Sequence, residues 1–280
     1  MTSRRWPKQV ALLVGVAFFC FFAVFPFLIM IINTFKQDAD LYRPQNNPFI
    51  YNFPPTLDNL RLLFQETNYL TFAKNSLIVG GLVVIITVVI AIPAAYSLAR
   101  LTGRLGESAG ILIFLVYLVP PSLLFIPLFR IVASLHLNNT LWALVLVYPT
   151  ISIPFSTWLL MGFFKSIPRD LEEAAMVDGF SRLSAFLRVV LPLSLSGVVA
   201  VIVFTFTLTL HEFVYAATFI TASSQRTLSV GVPIELVRGD VFFWQSLLAA
   251  AIIIAIPVAI VYNFFLDRIV AGFTMGAVKG

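Results

Sequence analysis

"EEAAMVDGFSRLSAFLRVVLP", Glu172 to Pro192, lies between long apolar runs and does not resemble them. Ser166-Ile167-Pro168 precedes it, and a proline near the first turn of a helix gives up an N–H that would lack an intrahelical partner anyway. Asp170, Glu172 and Glu173 then put negative charge at the positive end of the helix dipole. Leu171, Ala174, Ala175 and, imperfectly, Asp178 share one face by i, i+3, i+4, i+7 spacing. Gly179 suits the left-handed residue that ends a helix, and Ser181 suits the cap of a second one. In that second helix Leu183, Phe186, Leu187 and Val190 form an apolar stripe, with Arg182 and Arg188 elsewhere. Pro192 marks entry into the next apolar run. The stretch predicts two short helices meeting at an angle.

Its surroundings read as membrane. Of 280 residues, 60% are hydrophobic and 11% charged, against about a quarter charged in soluble domains. This hydrophobicity excludes disorder outside the tails. The net charge of +5 fits Lys and Arg gathered on cytoplasmic loops better than a nucleic-acid surface. Cys20 is the single cysteine, which excludes an internal disulfide and leaves the redox compartment open.

A spanning helix needs about 20 apolar residues to cross a hydrocarbon core of about 30 Å. Six stretches qualify: 10–32, 75–99, 110–131, 141–164, 192–210 and 246–266. The first follows Arg4, Arg5 and Lys8 as a signal sequence would. Its run is too long for a signal h-region and no small-residue cleavage pattern follows, so it reads as a retained span. With both termini inside, Arg100, Arg104, Lys165, Arg169, Arg182, Arg188, Arg268 and Lys279 all fall on the cytoplasmic side. The expected organisation is a cytoplasmic tail over 1–9, one transmembrane domain over 10–280, a cytoplasmic loop over 165–191 and a cytoplasmic tail over 267–280. Outer loops fall at about 33–74 and 213–245 on this reading.

Chemistry of its own is not evident. His136, His211 and one cysteine do not make a His/Cys metal site. No H-E-x-x-H, G-x-S-x-G or G-x-x-x-x-G-K-[ST] occurs, so no catalytic and no metal-ligating residue is assigned and the chain is not expected to be an enzyme. The spans hold almost no acidic residues, which counts against an ion-coupled carrier. For the Glu172–Pro192 stretch two settings stand, a protein partner or the lipid surface. Asp170, Glu172, Glu173 and Asp178 favour the protein, because an anionic leaflet attracts basic segments.

Glu173-Ala174-Ala175, three residues, Gly179, nine residues, Val189, one residue, Leu191-Pro192 resembles the EAA motif of binding-protein-dependent ABC importer permeases. Val189 stands where isoleucine is usual. The six spans, the long first outer loop and the tail from Arg268 to Gly280 are similar to the carbohydrate branch, the maltose-type second permease. That resemblance implies an all-α transmembrane fold of six spans with a cytoplasmic coupling helix, in a bacterial inner membrane with both termini cytoplasmic. It implies a second permease subunit, two ATP-binding cassette ATPase subunits that bind ATP and Mg, and an extracytoplasmic solute-binding protein; no cofactor is expected in this chain. It makes Glu172, Glu173, Ala174, Ala175, Asp178, Gly179 and Pro192 the ATPase-coupling set, and has Gly276, Lys279 and Gly280 reach the ATPase dimer interface. The implied cargo is a sugar or polyol. A same-architecture permease for another solute, such as glycerol phosphate or a polyamine, remains open, as do an ion-coupled carrier and, least favoured, a membrane enzyme.

Candidates for the solute path come from the fifth span. Its apolar run is interrupted at His211-Glu212. The family often places Trp-Asn before an acid here; Leu210-His211-Glu212-Phe213 keeps Glu-Phe and substitutes Leu-His, so the identity of the sugar is not implied. His211 and Glu212 read as a structural boundary, a solute contact or a gate. Thr205 and Thr209 share a face suited to hydroxyl-rich solutes or to back-bonding onto helix carbonyls. Tyr117, Tyr148 and Trp158 either stack on a sugar or pack.

Overall fold

A computed structural model describes residues 6–277, with side chains for 8–265. The chain opens with α1 (Trp6–Thr34), followed by short α2 (Asp38–Leu41) and by α3 (Asp58–Arg61), which runs into a π-helical turn at Leu62–Glu66. Next, α4 (Tyr69–Tyr96) continues as a second π-helical turn, Ser97–Leu101. Then come α5 (Gly103–Tyr117), α6 (Pro121–Ser134), α7 (Leu141–Val147), α8 (Pro149–Ser166), α9 (Arg169–Val177) and α10 (Arg182–Ala185). A third π-helical turn, Phe186–Val190, leads to α11 (Leu191–Leu193) and α12 (Leu195–His211). The chain ends with α13 (Val214–Phe219), α14 (Leu228–Leu236), a hairpin of β1 (Val237–Arg238) and β2 (Val241–Phe242), and α15 (Trp244–Ala277). Apart from that small hairpin the fold is helical.

Four helical stretches are long and apolar enough to cross a membrane: Lys8–Thr34, Tyr69–Leu101, Leu141–Ser166 and Trp244–Phe265. Two bent pairs raise the number to six when each is counted as one span: α5 with α6, at 90°, and Arg182–Leu193 with α12, at 72°. The span expected over 110–131 is thus a bent pair. Its break has a local cause: Pro120 and Pro121 lack donors, and Pro120, itself followed by a proline, is extended at φ −58°, ψ 131°. The span expected from Pro192 begins three residues later, because Ser194 interrupts the helix and its buried hydroxyl donates to the Leu191 carbonyl at 2.9 Å. At the other end, α15 runs on to Ala277, through the stretch expected to be a tail.

The described residues form two compact units, 6–69 with 232–257, and 70–231 with 258–277. In the first, the segment after α1 is built around a buried pair. Lys36 and Asp40 are 1% and 3% exposed. The Lys36 Nζ donates to the carbonyls of Asn47 at 3.2 Å and Pro48 at 3.1 Å and lies 3.9 Å from Asp40. Asp40 accepts from the Asn52 side chain at 2.7 Å and the Asn52 N–H at 3.0 Å. Burial by itself raises the Asp40 carboxyl, but those Asn52 bonds and the Lys36 ammonium outweigh it and hold the group below the usual carboxylate range. These bonds tie the start of the first outer loop into a defined structure.

The second unit holds two apolar clusters. One gathers Val79, Val83, Leu144, Tyr148, Tyr215 and Phe219, the other Ala95, Leu160, Phe164, Phe186, Val190 and Val201. Gly106 and Gly110 bring α5 against its neighbours. A Cβ at Gly106 would lie 2.2 Å from the Leu98 carbonyl oxygen, and one at Gly110 2.5 Å from the Met161 Cε. Small residues four apart permit this close helix approach.

Candidate functional site

The Glu172–Pro192 stretch folds from local rules. α9 begins after Pro168 and ends in a Schellman turn: the Phe180 N–H donates to Ala175 O and the Gly179 N–H to Met176 O, both at 3.1 Å. Gly179 has φ +93°, in the left-handed region that glycine enters without strain. Ser181 then caps α10, its Oγ accepting from the Ser184 N–H at 3.2 Å.

The two glutamates part ways. Glu173 is exposed, whereas Glu172 is 6% exposed and faces inward. Its carboxylate accepts a hydrogen bond from the Tyr96 hydroxyl and lies 3.6 Å from the Arg100 Nε. Arg100 also donates to the Ile167 carbonyl at 2.7 Å. Tyr96 packs 4.3 Å from Phe186, so α9, the end of α4 and the π-helical turn after α10 share one knot. Sequence reasoning missed Tyr96 and Arg100 as members of this site; Arg100 registered only as a positive charge near a span end. Ala175 is buried beside the knot, while Leu171, Ala174, Val177 and Asp178 are exposed, Val177 at 87%. The α10 stripe divides too: Phe186 and Val190 are buried, Leu183 and Leu187 exposed. Pro192 lies exposed in α11. The outcome is a helix held from behind by a buried carboxylate and presenting Leu171, Ala174, Val177, Glu173 and Asp178 outward.

A second site lies where α5 breaks. A cavity of about 540 Å³ is lined by Tyr117, Pro120, Ile151, Leu208, His211 and Glu212, among others, a volume in the range of small-molecule sites. Tyr117, His211 and Glu212 thus meet, as one site would require. Thr205 and Thr209 do not line it; both are buried, and the Thr209 Oγ1 donates back to the Phe206 carbonyl at 2.8 Å. Glu212 has local work: its two carboxylate oxygens accept from the backbone N–H of Tyr215 at 2.9 Å and Ala216 at 3.1 Å, capping α13. The His211 Nδ1 sits 2.9 Å from the Thr207 carbonyl and must donate to it, which leaves Nε2 of the neutral ring as an acceptor. Tyr117 belongs to an aromatic wall, with its ring centroid 5.1 Å from Phe155 and 6.2 Å from Phe114; Trp158 stacks 4.4 Å from Phe114. Tyr148 is fully buried in an apolar cluster.

Gly276 falls in the last turn of α15, while Lys279 and Gly280 lie outside the described residues. Among the described residues no group of three or more His, Cys, Asp and Glu is placed to hold a metal ion.

Residues 87–274 match the family of binding-protein-dependent transport system inner membrane components. Over 260 residues the chain is 38% identical to the sulfoquinovosyl glycerol transport system permease protein SmoH of Agrobacterium fabrum, covering 92% of this chain and 89% of that protein. It is 33% identical to the trehalose/maltose transport system permease protein MalG of Thermococcus litoralis, covering 98% of each. The fold resembles a chain of a bacterial ABC transporter involved in the import of the acidic polysaccharide alginate, with a TM-score of 0.76 at 18% identity over 95% of this chain and 97% of that one.

Proposed function

The chain belongs to the binding-protein-dependent transport system inner membrane components, and from that premise we propose that it is the membrane-spanning permease subunit of an ATP-driven importer for a sugar or a related polyhydroxy solute. Full-length relatives named for a sulfoquinovosyl glycerol and for trehalose and maltose support the cargo class. The translocation path is shared with a second permease subunit, and an extracytoplasmic binding protein delivers solute. ATP and its Mg are bound by two partner ATPase subunits, and both termini and the α9–α10 loop face the cytoplasm.

The observation that carries the mechanism is the buried Glu172 beneath an exposed face. Leu171, Ala174, Val177, Glu173 and Asp178 seat in a partner ATPase, with Gly179 turning the chain so that α10 clears the contact. When ATP binding draws the ATPases together, α9 moves with them. Because Glu172 is tied to Tyr96 and Arg100, and Arg100 to the Ile167 carbonyl, the ends of α4 and α8 move with α9. The spans thereby turn the path from inward- to outward-facing. At the other site Tyr117 and its aromatic neighbours offer ring faces, and the His211 Nε2 accepts from a solute hydroxyl.

The test is uptake of a panel of radiolabelled mono- and oligosaccharides, polyols and glycerol phosphate in cells lacking the native copy. Accumulation of a sugar or polyol that requires both this chain and a hydrolysis-competent ATPase partner is expected. Uptake by this chain alone under an ion gradient would sink the reading, and selective uptake of glycerol phosphate would correct the cargo.

A further inference from the structure

Behind the Glu172 knot, a cleft of about 430 Å³ lies among the Ser97–Leu101 turn, α5 and the α8–α9 junction, lined by Arg100, Gly103, Arg104, Glu107, Lys165 and Arg169. Four of these side chains are cations and one is a carboxylate, a net of 4 − 1 = +3. Glu107 is engaged by Lys165 at 2.9 Å, and Arg100 by Glu172 at 3.6 Å. Arg104 and Arg169 form no ion pair among the described residues. The Arg100 side chain is only 5% exposed, and its Nε has no hydrogen-bond partner. Gly103 and Arg104 open α5, and Arg169 opens α9, so the positive ends of two helix dipoles add to the charge.

Such a cleft suits an anion with several acceptor oxygens that different cations approach from different sides, which is the geometry of a phosphate group. Its place in the fold favours a lipid as the source. The long apolar stretches Tyr69–Leu101 and Leu141–Ser166 both end at it, and the ends of spanning helices are where a chain meets headgroups. Beside it Leu101 and Leu105 are 47% and 80% exposed, and Ile111 and Leu112 continue an apolar surface up α5 on which an acyl chain can lie. Basic clusters at this level attract anionic lipid.

We propose that this cleft binds the phosphate of an anionic phospholipid headgroup. Arg100 and Arg169 also line a smaller cleft of about 120 Å³ with Glu173, Met176 and Arg182. Lipid in the larger cleft therefore bears on the position of α9, and links ATPase coupling to the composition of the leaflet. The lipid site itself does not depend on which solute is carried; the link to coupling rests on the reading of α9 given above.

The intact transporter, purified with its partner subunits, is placed in phosphatidylcholine nanodiscs containing graded phosphatidylglycerol, and retained lipid is counted by native mass spectrometry. A parallel arm supplies inorganic phosphate to discs of phosphatidylcholine alone. Phosphatidylglycerol retention is expected to fall about fivefold per cation removed in R104Q/R169Q, and to be unchanged in R43Q, a control in the other unit. Lys165→Gln, made alone, serves if the double variant fails to assemble. Phosphate binding without phosphatidylglycerol preference, lost in the same variants, keeps the phosphate cleft and assigns it a soluble source. Equal retention in wild type and in the variants overturns the proposal.

Discussion

The Glu172 carboxylate lies 3.6 Å from the Arg100 Nε, with both side chains less than 10% exposed, so α9 and the end of α4 are joined by a buried charge pair. Removing one member of such a pair strands the other and costs about 3–5 kcal/mol. Glu172→Ala is therefore expected to lower the unfolding temperature of the purified chain and to abolish solute-dependent ATP hydrolysis. Its neighbour Glu173 is exposed; Glu173→Lys is expected to leave the unfolding temperature at wild type yet lose ATPase docking and uptake. Thermal scans beside pull-down of the ATPase separate the two. Identical behaviour of both variants would refute the division of labour between adjacent glutamates.

Gly179 raises a cleaner question, because a Cβ there meets nothing within 4 Å. Any loss in Gly179→Val is thus a backbone effect of φ +93°, about 1–2 kcal/mol for an L-residue in the left-handed region. Gly179→Asn, whose side chain tolerates that region, is expected to keep most uptake while Gly179→Val uncouples ATP hydrolysis from transport. Equal activity of the two variants would mean the turn conformation is not needed.

Much of this was legible in the sequence because it is local. The end of α9 at Gly179, the Ser181 cap and the acidic first turn follow from neighbours a few residues apart, and the membrane character follows from apolar run length. What failed to show was long-range or hinged on one residue. Glu172 and Glu173 differ by a 100° rotation on the helix, and which one faces α4 depends on where the chain returns from Tyr96. The spacing of Thr205 and Thr209 was right for a shared face, but the face points into the protein. The bend between α5 and α6 comes from Pro120-Pro121, but two prolines in an apolar run do not by themselves set an angle as large as 90°. The fixed segment after α1 rests on Asn52 and Lys36 meeting Asp40, which no periodicity announces.

That buried aspartate predicts an acid limit. Asp40 is held below its ordinary value of 3.8, so its contribution is fully present above that value and is lost as pH falls through the lowered one. Protection of residues 47–53 from hydrogen exchange, taken relative to the intrinsic rate at each pH, is expected to hold from neutral pH to about pH 4 and to fall below it. Asp40→Asn, which cannot pair with Lys36, is expected to quicken exchange at neutral pH and to remove the acid step. An acid step that persists in that variant would place its origin in another group.

His211 and Glu212 are neighbours with separable roles. Glu212 caps α13 through two backbone N–H groups, and losing a cap costs about 1 kcal/mol. Glu212→Ala is expected to destabilise the purified chain by about that much, while Glu212→Gln, which keeps an acceptor oxygen, recovers most of it. His211 is exposed on the same cavity, and its own bond is from Nδ1 to the Thr207 carbonyl in the last turn of α12; His211→Ala is expected to cost little stability, less than Glu212→Ala, and to weaken apparent solute affinity several-fold, by about the 1 kcal/mol of one hydrogen bond. Urea unfolding and concentration-dependent uptake, measured on all three variants, read the two properties apart. An unaltered solute profile in His211→Ala would make His211 a boundary residue. Loss of transport in a fully stable Glu212→Gln would instead show that the carboxylate charge acts on the solute, because the cap alone does not require it.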